Sequence, residues 1–302
     1  MIEVIKMRKI WFTFSGILVA LSIGALIVWG LNFSIDFSGG SLMEVTFSSV
    51  EVTPSSAEVT QSLANAGILE SVFFQPSGEN GGILRFQEVS EDKHQEILSH
   101  LRTEYDENIV EERFDSIGPS VGQELKEKTV NAIIIALIAI ILYITWAFRK
   151  ISKPVASWKY GVIAVIALFH DVIIVLGIFA VLGKFYQVEI TAPFIAALLT
   201  ILGYSVNDTI VIFDRVRENL LKHFEGDLQI TVAKSIGESV TRSVNSSLTT
   251  IFVLFAIFLL GGSTIRSFSL ALIIGITIGT YSSLFLASPL LIVFEKFRPN
   301  RK

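Results

Sequence analysis

Residues 130–148 read VNAIIIALIAIILYITWAF, a run without a single Asp, Glu, Lys or Arg. As an α-helix rising 1.5 Å per residue, the run is roughly 28 Å long, the thickness of a bilayer's hydrocarbon core. A helix that is apolar on every side has no water-facing stripe, so its surroundings are lipid or other helices. Five similar blocks flank it: Ile10–Leu31 before, and Tyr160–Leu182, Ile190–Phe213, Val244–Gly262 and Ser267–Phe294 after. Hydrophobic residues make up 51% of the 302 positions, and they are gathered in these blocks rather than spaced for a soluble core. The sequence predicts a polytopic α-helical membrane protein with six transmembrane helices. Cysteine is absent, which excludes disulfides and thiolate metal sites.

Lys6, Arg8 and Lys9 before the first block resemble the start of a signal peptide. The apolar run is longer than an h-region of about 7–15 residues. It continues into Leu31-Asn32-Phe33 without a small-residue cleavage site, so it reads as an anchor. Short loops set the orientation. Basic residues collect at the amino terminus, in the second–third loop (Arg149, Lys150, Lys153, Lys159), in the fourth–fifth loop (Arg215, Arg217, Lys222, Lys234, Arg242) and in the tail. The two short loops opposite hold Lys184 and Arg266. Both termini are expected in the cytoplasm. This divides the chain into residues 1–31 with the first span, an outer domain over 32–129, and 130–302 with the remaining spans.

The outer segment holds eighteen of the 28 acidic residues and six of the 24 basic ones, a charge near −12. Ser41–Phe47 alternates as a strand. Pro54–Ala66 reads as a helix capped by Thr53 and stopped by Gly67. Ser71–Gln75 is a short strand, Gly78 to Gly82 a turn, and Ile83–Gln87 the next strand. Ser90–Tyr105 reads as a helix and Ile109–Ile117 as a strand. The order β-α-β-β-α-β predicts a ferredoxin-like α+β domain, a fold that by itself names no function. Its acidity is read as a solvated face, with attraction to a basic polypeptide or repulsion from anionic lipid as alternatives.

Within the six spans stand two carboxylates, Asp171 and Asp208, and one histidine, His170. A charge in the bilayer is costly, so each needs a reason. Asp208 lies five residues before Phe213, roughly 8 Å inside the membrane. Arg242 opens the fifth span at the same face. Arg242, Asn245, Ser246 and Thr249 follow i, i+3, i+4, i+7 spacing and share one stripe. Thr200, Tyr204, Asn207 and Asp208 form the facing stripe on the fourth span. Two such stripes predict a polar seam in which burial and a nearby arginine compete over the Asp208 proton. A static Asp208–Arg242 ion pair, and an Asp171 carboxyl merely hydrogen-bonded to a neighbouring helix, are the alternatives. Gly275 and Gly279 form a G-x-x-x-G step that permits close helix approach. Pro193 either bends the fourth span or begins it.

Gly203-Tyr204-Ser205 carries the G-x-S of intramembrane serine proteases, with His170 the available base. That histidine belongs to another helix nearer mid-depth, so Ser205 reads as a helix-face hydroxyl whose removal is expected to be nearly silent. Neither a phosphate-binding loop nor an H-E-x-x-H pair is present. The expectation is a non-enzyme with no cofactor and no metal, driven by an ion gradient or a partner.

Ile35-Asp36-Phe37-Ser38-Gly39-Gly40 after the first span resembles the D-F-x-G-G signature of the SecD/SecF protein-export family. The resemblance recurs at Ile117-Gly118-Pro119-Ser120-Val121-Gly122, at Phe169-His170-Asp171-Val172, from Gly203 through Asn207-Asp208-Thr209 to Asn219, and from Arg242 to Thr250. It covers nearly the whole chain except the basic loop Arg149–Lys159, and the fourth-span stretch is similar to the SecF branch. It implies a subunit that pairs with SecD, assists the SecYEG channel alongside YajC and YidC, and acts on an exported precursor polypeptide. The family belongs to the resistance-nodulation-division superfamily of proton-driven transporters. The implied setting is the bacterial or archaeal cytoplasmic membrane, with the proton-motive force helping to complete translocation and no role for nucleic acid. Asp208 and Arg242 take the family's proton-path positions, joined on the residue reading by Asn207 and Asp171. Asp36, Gly39, Gly40, Gly118 and Pro119 mark two junctions of the outer domain, read as hinges or as ordinary turns. A solute exporter of the same superfamily is the alternative function.

Overall fold

The structure is a computed structural model that describes residues 5–48, 54–69, 71–77, 80–149, 156–222 and 227–296. Expectations placed on Thr53, Gly78, Lys150, Lys153 and the last basic residues lie outside these. The chain divides into two compact units, one of residues 1–32 with 130–302 and one of residues 33–129.

Among the described residues six helices are long and apolar enough to cross a membrane, and they belong to the first unit except for residues 119–129, which are counted in the second. They are α1 (Arg8–Trp29), α5 (Pro119–Ala147), α6 (Ser157–Tyr186), α7 (Ala192–Lys222), α8 (Leu228–Leu260) and the last span, α9 (Ser263–Ser282) continuing through a π-helical turn (Ser283–Ala287) into α10 (Ser288–Lys296). Helices α6, α7 and α9 form the centre, with α1 on α6 and α8 on α7 and α9. Helix α5 is mostly exposed and joins through its C-terminal end, where Phe148 stacks on Tyr160 with ring centroids 5.1 Å apart. Pro193 sits at the start of α7, so it begins the helix rather than bending it.

The helices outrun the hydropathy blocks. The fourth–fifth connection, read from charge as a loop, is largely helical. Helix α7 runs on from Phe213 to Lys222 because its charges pair along one face: Arg215–Glu218 at 2.5 Å and Lys222–Glu218 at 2.6 Å. Helix α8 begins at Leu228, where the Asp227 carboxylate accepts from Gln229 N at 2.9 Å. Arg215 Nε meets Glu238 at 2.8 Å, and Asn219 Nδ2 donates to Ser235 Oγ and Glu238 at 2.9 Å. These bonds zip the two extensions together. Hydropathy marks where lipid ends; the helix ends where its side-chain pairing and caps end.

The second unit contains α2 (Ile35–Ser38), β1 (Gly40–Thr46), α3 (Ser56–Asn65), β2 (Val72–Ser77), β3 (Gly81–Phe86), α4 (Glu91–Glu104) and β4 (Val110–Ile117). The sheet order is β2-β3-β1-β4, antiparallel throughout. This β-α-β-β-α-β arrangement is consistent with the ferredoxin-like domain. Val59 and Leu63 of α3 and Ile97, Leu98 and Leu101 of α4 are buried with Met43, Val45, Phe74 and Leu84 of the sheet. Each such side chain contributes about 1.5–3 kcal/mol relative to exposure. Helix α3 starts later than expected. Ser55 is its cap, accepting from Glu58 N at 3.3 Å while the Glu58 carboxylate accepts from Ser55 N at 2.8 Å. This reciprocal capping box satisfies two end donors at once. Gly67 ends the helix with φ +67°.

Candidate functional site

Two carboxyls organise the interior of the membrane unit, and they are held differently. Asp171, in the middle of α6, is fully buried. Its Oδ2 accepts from Ser205 Oγ of α7 at 2.6 Å and from Ser282 Oγ of α9 at 2.8 Å. Its Oδ1 lies 2.9 Å from His170 Nδ1. One carboxyl thus ties three helices together with short bonds.

Asp208, on α7, is 3% exposed. Thr280 Oγ1 donates to it at 3.3 Å. Thr280 is itself 2.6 Å from Ser247 Oγ and 2.9 Å from the Ile276 carbonyl. A threonine hydroxyl has one proton, so Asp208 competes with Ile276 O for it. Ser243 and Ser247 of α8 stand beside the carboxyl, and both are buried. One turn further, Thr209 Oγ1 and Ser283 Oγ share a bond of 2.8 Å, and Ser283 Oγ approaches the Ser205 carbonyl at 3.4 Å.

The close approach behind these contacts comes from glycine. A Cβ on Gly279 would lie 3.0 Å from Ser205 Cβ, and one on Gly275 would overlap the Ile201 side chain. The G-x-x-x-G step therefore faces α7 and lets the last span sit against it. At Ser283–Ala287 the last span widens into its π-helical turn, where Ser288 Oγ donates to Ser283 O at 2.7 Å. Such turns are frequent at functional sites.

The expected seam is arranged otherwise. Asp208 points inward, but Thr200, Asn207, Arg242, Asn245, Ser246 and Thr249 are exposed on the flank of α7 and α8, with Tyr204 half-buried. No ion pair joins Arg242 to Asp208 among the described residues, so the static pair is not formed. The inward face of α8 is instead a four-residue repeat of buried serines, Ser235, Ser239, Ser243 and Ser247. That repeat, and the hydroxyls of Thr280, Ser282, Ser283 and Ser288 in an otherwise apolar span, were visible in the sequence as periodic small polar residues. Ser205, read from the sequence as a helix-face hydroxyl, faces the interior. It is 1% exposed and committed to Asp171. Since the carboxyl lies between the serine and His170, the serine–histidine contact that a nucleophile requires is not built.

In the other unit, the two glycine-rich segments meet each other. Gly39 (φ +73°) stands where a Cβ would lie 2.8 Å from Pro119 Cα, and Gly40 (φ +121°) where it would lie 2.8 Å from Phe86 O. Gly122 approaches Phe37 O in the same way, at 3.0 Å. Asp36 sits in the turn of α2, where its N–H donates to Ser34 Oγ at 3.3 Å. The Glu88 carboxylate lies beside Gly118. Gly39 and Gly40 hold conformations that L-residues avoid, and a side chain at either would meet backbone.

Residues 97–297, which contain both carboxyls, match the family model described as protein export membrane protein SecD/SecF, C-terminal. Residues 24–49 match the SecD/SecF GG motif. The chain belongs to the SecD/SecF family. Among SecD/SecF proteins, the protein translocase subunit SecF of Thermobaculum terrenum is 40% identical, over 98% of this chain and 94% of that one. The protein translocase subunit SecF of Anaerolinea thermophila is 35% identical over the same shares. The crystal structure of SecDF, a translocon-associated membrane protein from Thermus thermophilus, superposes with a TM-score of 0.84 at 32% identity over 97% of this chain. This chain spans 38% of that one. The Gly39-Gly40 pair lies within the residues that match the GG motif.

Proposed function

We propose that this chain is the SecF-type subunit of a protein-export complex and uses the proton-motive force to assist late steps of precursor translocation across the cytoplasmic membrane. The observation that carries this reading is the state of Asp208. Asp171 accepts short hydrogen bonds from α7 and α9, so changing its charge acts on three helices. Asp208 is buried too, but the hydroxyl that donates to it, from Thr280, is 3.3 Å away, longer than the 2.6 and 2.8 Å contacts at Asp171. A carboxyl held this loosely gains or loses a proton by small shifts of α8 and α9. Arg242, on α8 and free of an ion pair with it, is available to swing toward the ionised form.

The flank of α7 and α8 supports partnership with SecD. Among the described residues the Asn207 and Asn245 side chains are exposed and find no hydrogen-bond partner. In hydrocarbon an unpaired amide costs several kcal/mol, so this flank is read as facing a second membrane protein rather than lipid. The SecYEG channel, YajC, YidC and the precursor complete the proposed assembly, with both termini cytoplasmic by the charge of the short loops.

The test is Asp208→Asn in membrane vesicles containing the complex. Export without an imposed proton gradient and membrane insertion stay at wild-type levels, and stimulation by the gradient is lost. Gradient-stimulated export at the normal rate in this variant overturns the reading.

A further inference from the structure

We propose that Asn219 is a positioning residue in the extension of α7, holding α8 in the one rotation and register that turn Ser243 and Ser247 toward Asp208. Its use rests on the proton-coupled reading of Asp208 above; the clamp stands on its own geometry.

Asn219 is 4% exposed. Around it on the two helices, Val216, Leu220, Leu228, Val232 and Ile236 are buried in one apolar cluster. Its Nδ2 donates across to α8 twice, to Ser235 Oγ and to Glu238 Oε2, each at 2.9 Å. Both partners face it as acceptors. Ser235 Oγ gives its own proton to the Thr231 carbonyl at 2.8 Å, and the Glu238 carboxylate is met by Arg215 Nε at 2.8 Å. An amide nitrogen has two protons, and here two acceptors on the neighbouring helix take them.

This bonding selects an arrangement where apolar packing does not. Aliphatic side chains repack at modest cost, whereas a buried polar group tolerates only the geometry that satisfies it. A single buried asparagine between helices sets register in this way, at some cost in stability. Each residue of an α-helix turns it by about 100°, so a slip of α8 by one position takes both acceptors away from Asn219. The amide is then left buried and unpaired, which is penalised more than the bonds themselves contribute. Arg215 and Glu238 remain partly exposed, so their ion pair alone contributes little.

The stripe that carries the clamp also carries Asp208. Asp208, Arg215 and Asn219 follow i, i+7, i+11 spacing on α7. At 3.6 residues per turn the three stay within roughly 20° of one line, with Asn219 roughly 17 Å along the axis from Asp208. On the facing helix, Ser235 opens the buried serine repeat that ends at Ser247, and α8 runs unbroken from Leu228 to Leu260. Ser247 Oγ is 2.6 Å from Thr280 Oγ1, the hydroxyl that donates to Asp208. A rotation of α8 at the clamp is therefore carried along the helix to Ser247, and through Thr280 to the carboxyl. Sliding and turning both break the Asn219 bonds, so α8 is left with a tilt about its clamped end.

The test uses the full chain in membranes. It has no cysteine, so an introduced pair reports alone. Ser247→Cys with Thr280→Cys puts two sulfurs where the hydroxyls lie 2.6 Å apart, and oxidation joins them. In that background Asn219→Leu, which suits the apolar surroundings, slows disulfide formation at least about threefold, the low end of the coupling between linked residues. Asn219→Asp slows it too, by setting a second carboxylate against Glu238. Adding Glu238→Gln to Asn219→Asp exchanges donor and acceptor and restores the rate, a rescue that mere filling of space does not produce. Unmodified rates in the folded single variants overturn the proposal, and so does a slowed Asn219→Asp that Glu238→Gln fails to rescue. If Asn219→Leu does not accumulate in the membrane, the exchange pair decides alone. Stimulation of export by a proton gradient is then measured in the same variants without the cysteines. Stimulation lost in Asp208→Asn but kept where cross-linking is slowed overturns the positioning role. Stimulation kept in every variant removes the earlier reading of Asp208 and leaves the clamp standing.

Discussion

The Ser205 hydroxyl donates to Asp171 Oδ2 at 2.6 Å, joining the fourth membrane helix to the third at a fully buried carboxyl. Ser282 delivers a second hydroxyl to the same oxygen from the last span. The membrane unit is thus pinned at one atom by residues far apart in sequence.

Ser205→Ala is accordingly expected to destabilise the folded protein by about 1–3 kcal/mol, the cost of a buried acceptor losing a donor. Ser282→Ala acts on the same oxygen, so the two changes are non-additive by at least about 0.5 kcal/mol. Thermal unfolding of the detergent-solubilised single and double variants measures this. Strict additivity would show that the two hydroxyls do not share an acceptor.

The last span presses on α7 through Gly279, where a Cβ would stand 3.0 Å from Ser205 Cβ. Gly279→Val therefore overpacks this contact and costs about 1–3 kcal/mol. Gly203→Val, at an exposed position with nothing within 4 Å of its Cβ site, avoids that clash. Comparing the two melting temperatures decides between a packing role and a general dislike of bulk in the bundle.

Gly39 and Gly40 combine positive φ with close backbone neighbours. Alanine at either is expected to cost about 1–3 kcal/mol of local strain. Gly30, also at positive φ (+67°) but in open space, carries only the conformational part of that cost. Hydrogen exchange in the full-length protein should show faster opening of β1 and β4 in Gly40→Ala than in Gly30→Ala.

Proton coupling through Asp208 requires that its free energy reach the outer domain by switching between discrete arrangements. We expect residues 33–129 to move as a unit. A disulfide engineered between that unit and the loop between α6 and α7 is expected to block gradient-driven export, and reduction to restore it. Equal export in the oxidised and reduced forms would remove domain motion from the mechanism.

The Glu58 carboxyl is held below the ordinary carboxylate range, first by the Ser55 backbone N–H and then by its hydroxyl. A lowered folded value means that the contribution is present above the ordinary range and fades as the pH falls through the lowered one. Protection of α3 amides against hydrogen exchange should therefore decline on acidification below about pH 4. Ser55→Ala should weaken α3 by about 1 kcal/mol at neutral pH. If α3 protection in the wild type does not change with pH, the capping box does not depend on the ionised carboxylate.

The six spans were legible in the sequence because the free energy of placing apolar side chains in lipid is summed residue by residue along the chain. The order of elements in the outer domain was legible for a similar reason: periods of two and 3.6 residues are local properties. The two buried carboxyls and the glycine step of the last span also stood out, since charge and close approach are rare in a membrane. Which face of each helix turns inward was not local. Asn207, Asn245 and Ser246 make as good a polar stripe as Ser243 and Ser247, and only packing against the last span chose the serines. Asp171 found its partners 34 and 111 positions away, on helices that no single-helix pattern relates to it. Nor did any periodicity announce that Gly39 would be pressed against Pro119, across the whole length of the outer domain. Sequence determined what enters the membrane, through energies that add along one helix. The tertiary structure decided which polar groups meet there, because a hydrogen bond is a property of two helices and their rotation about each other.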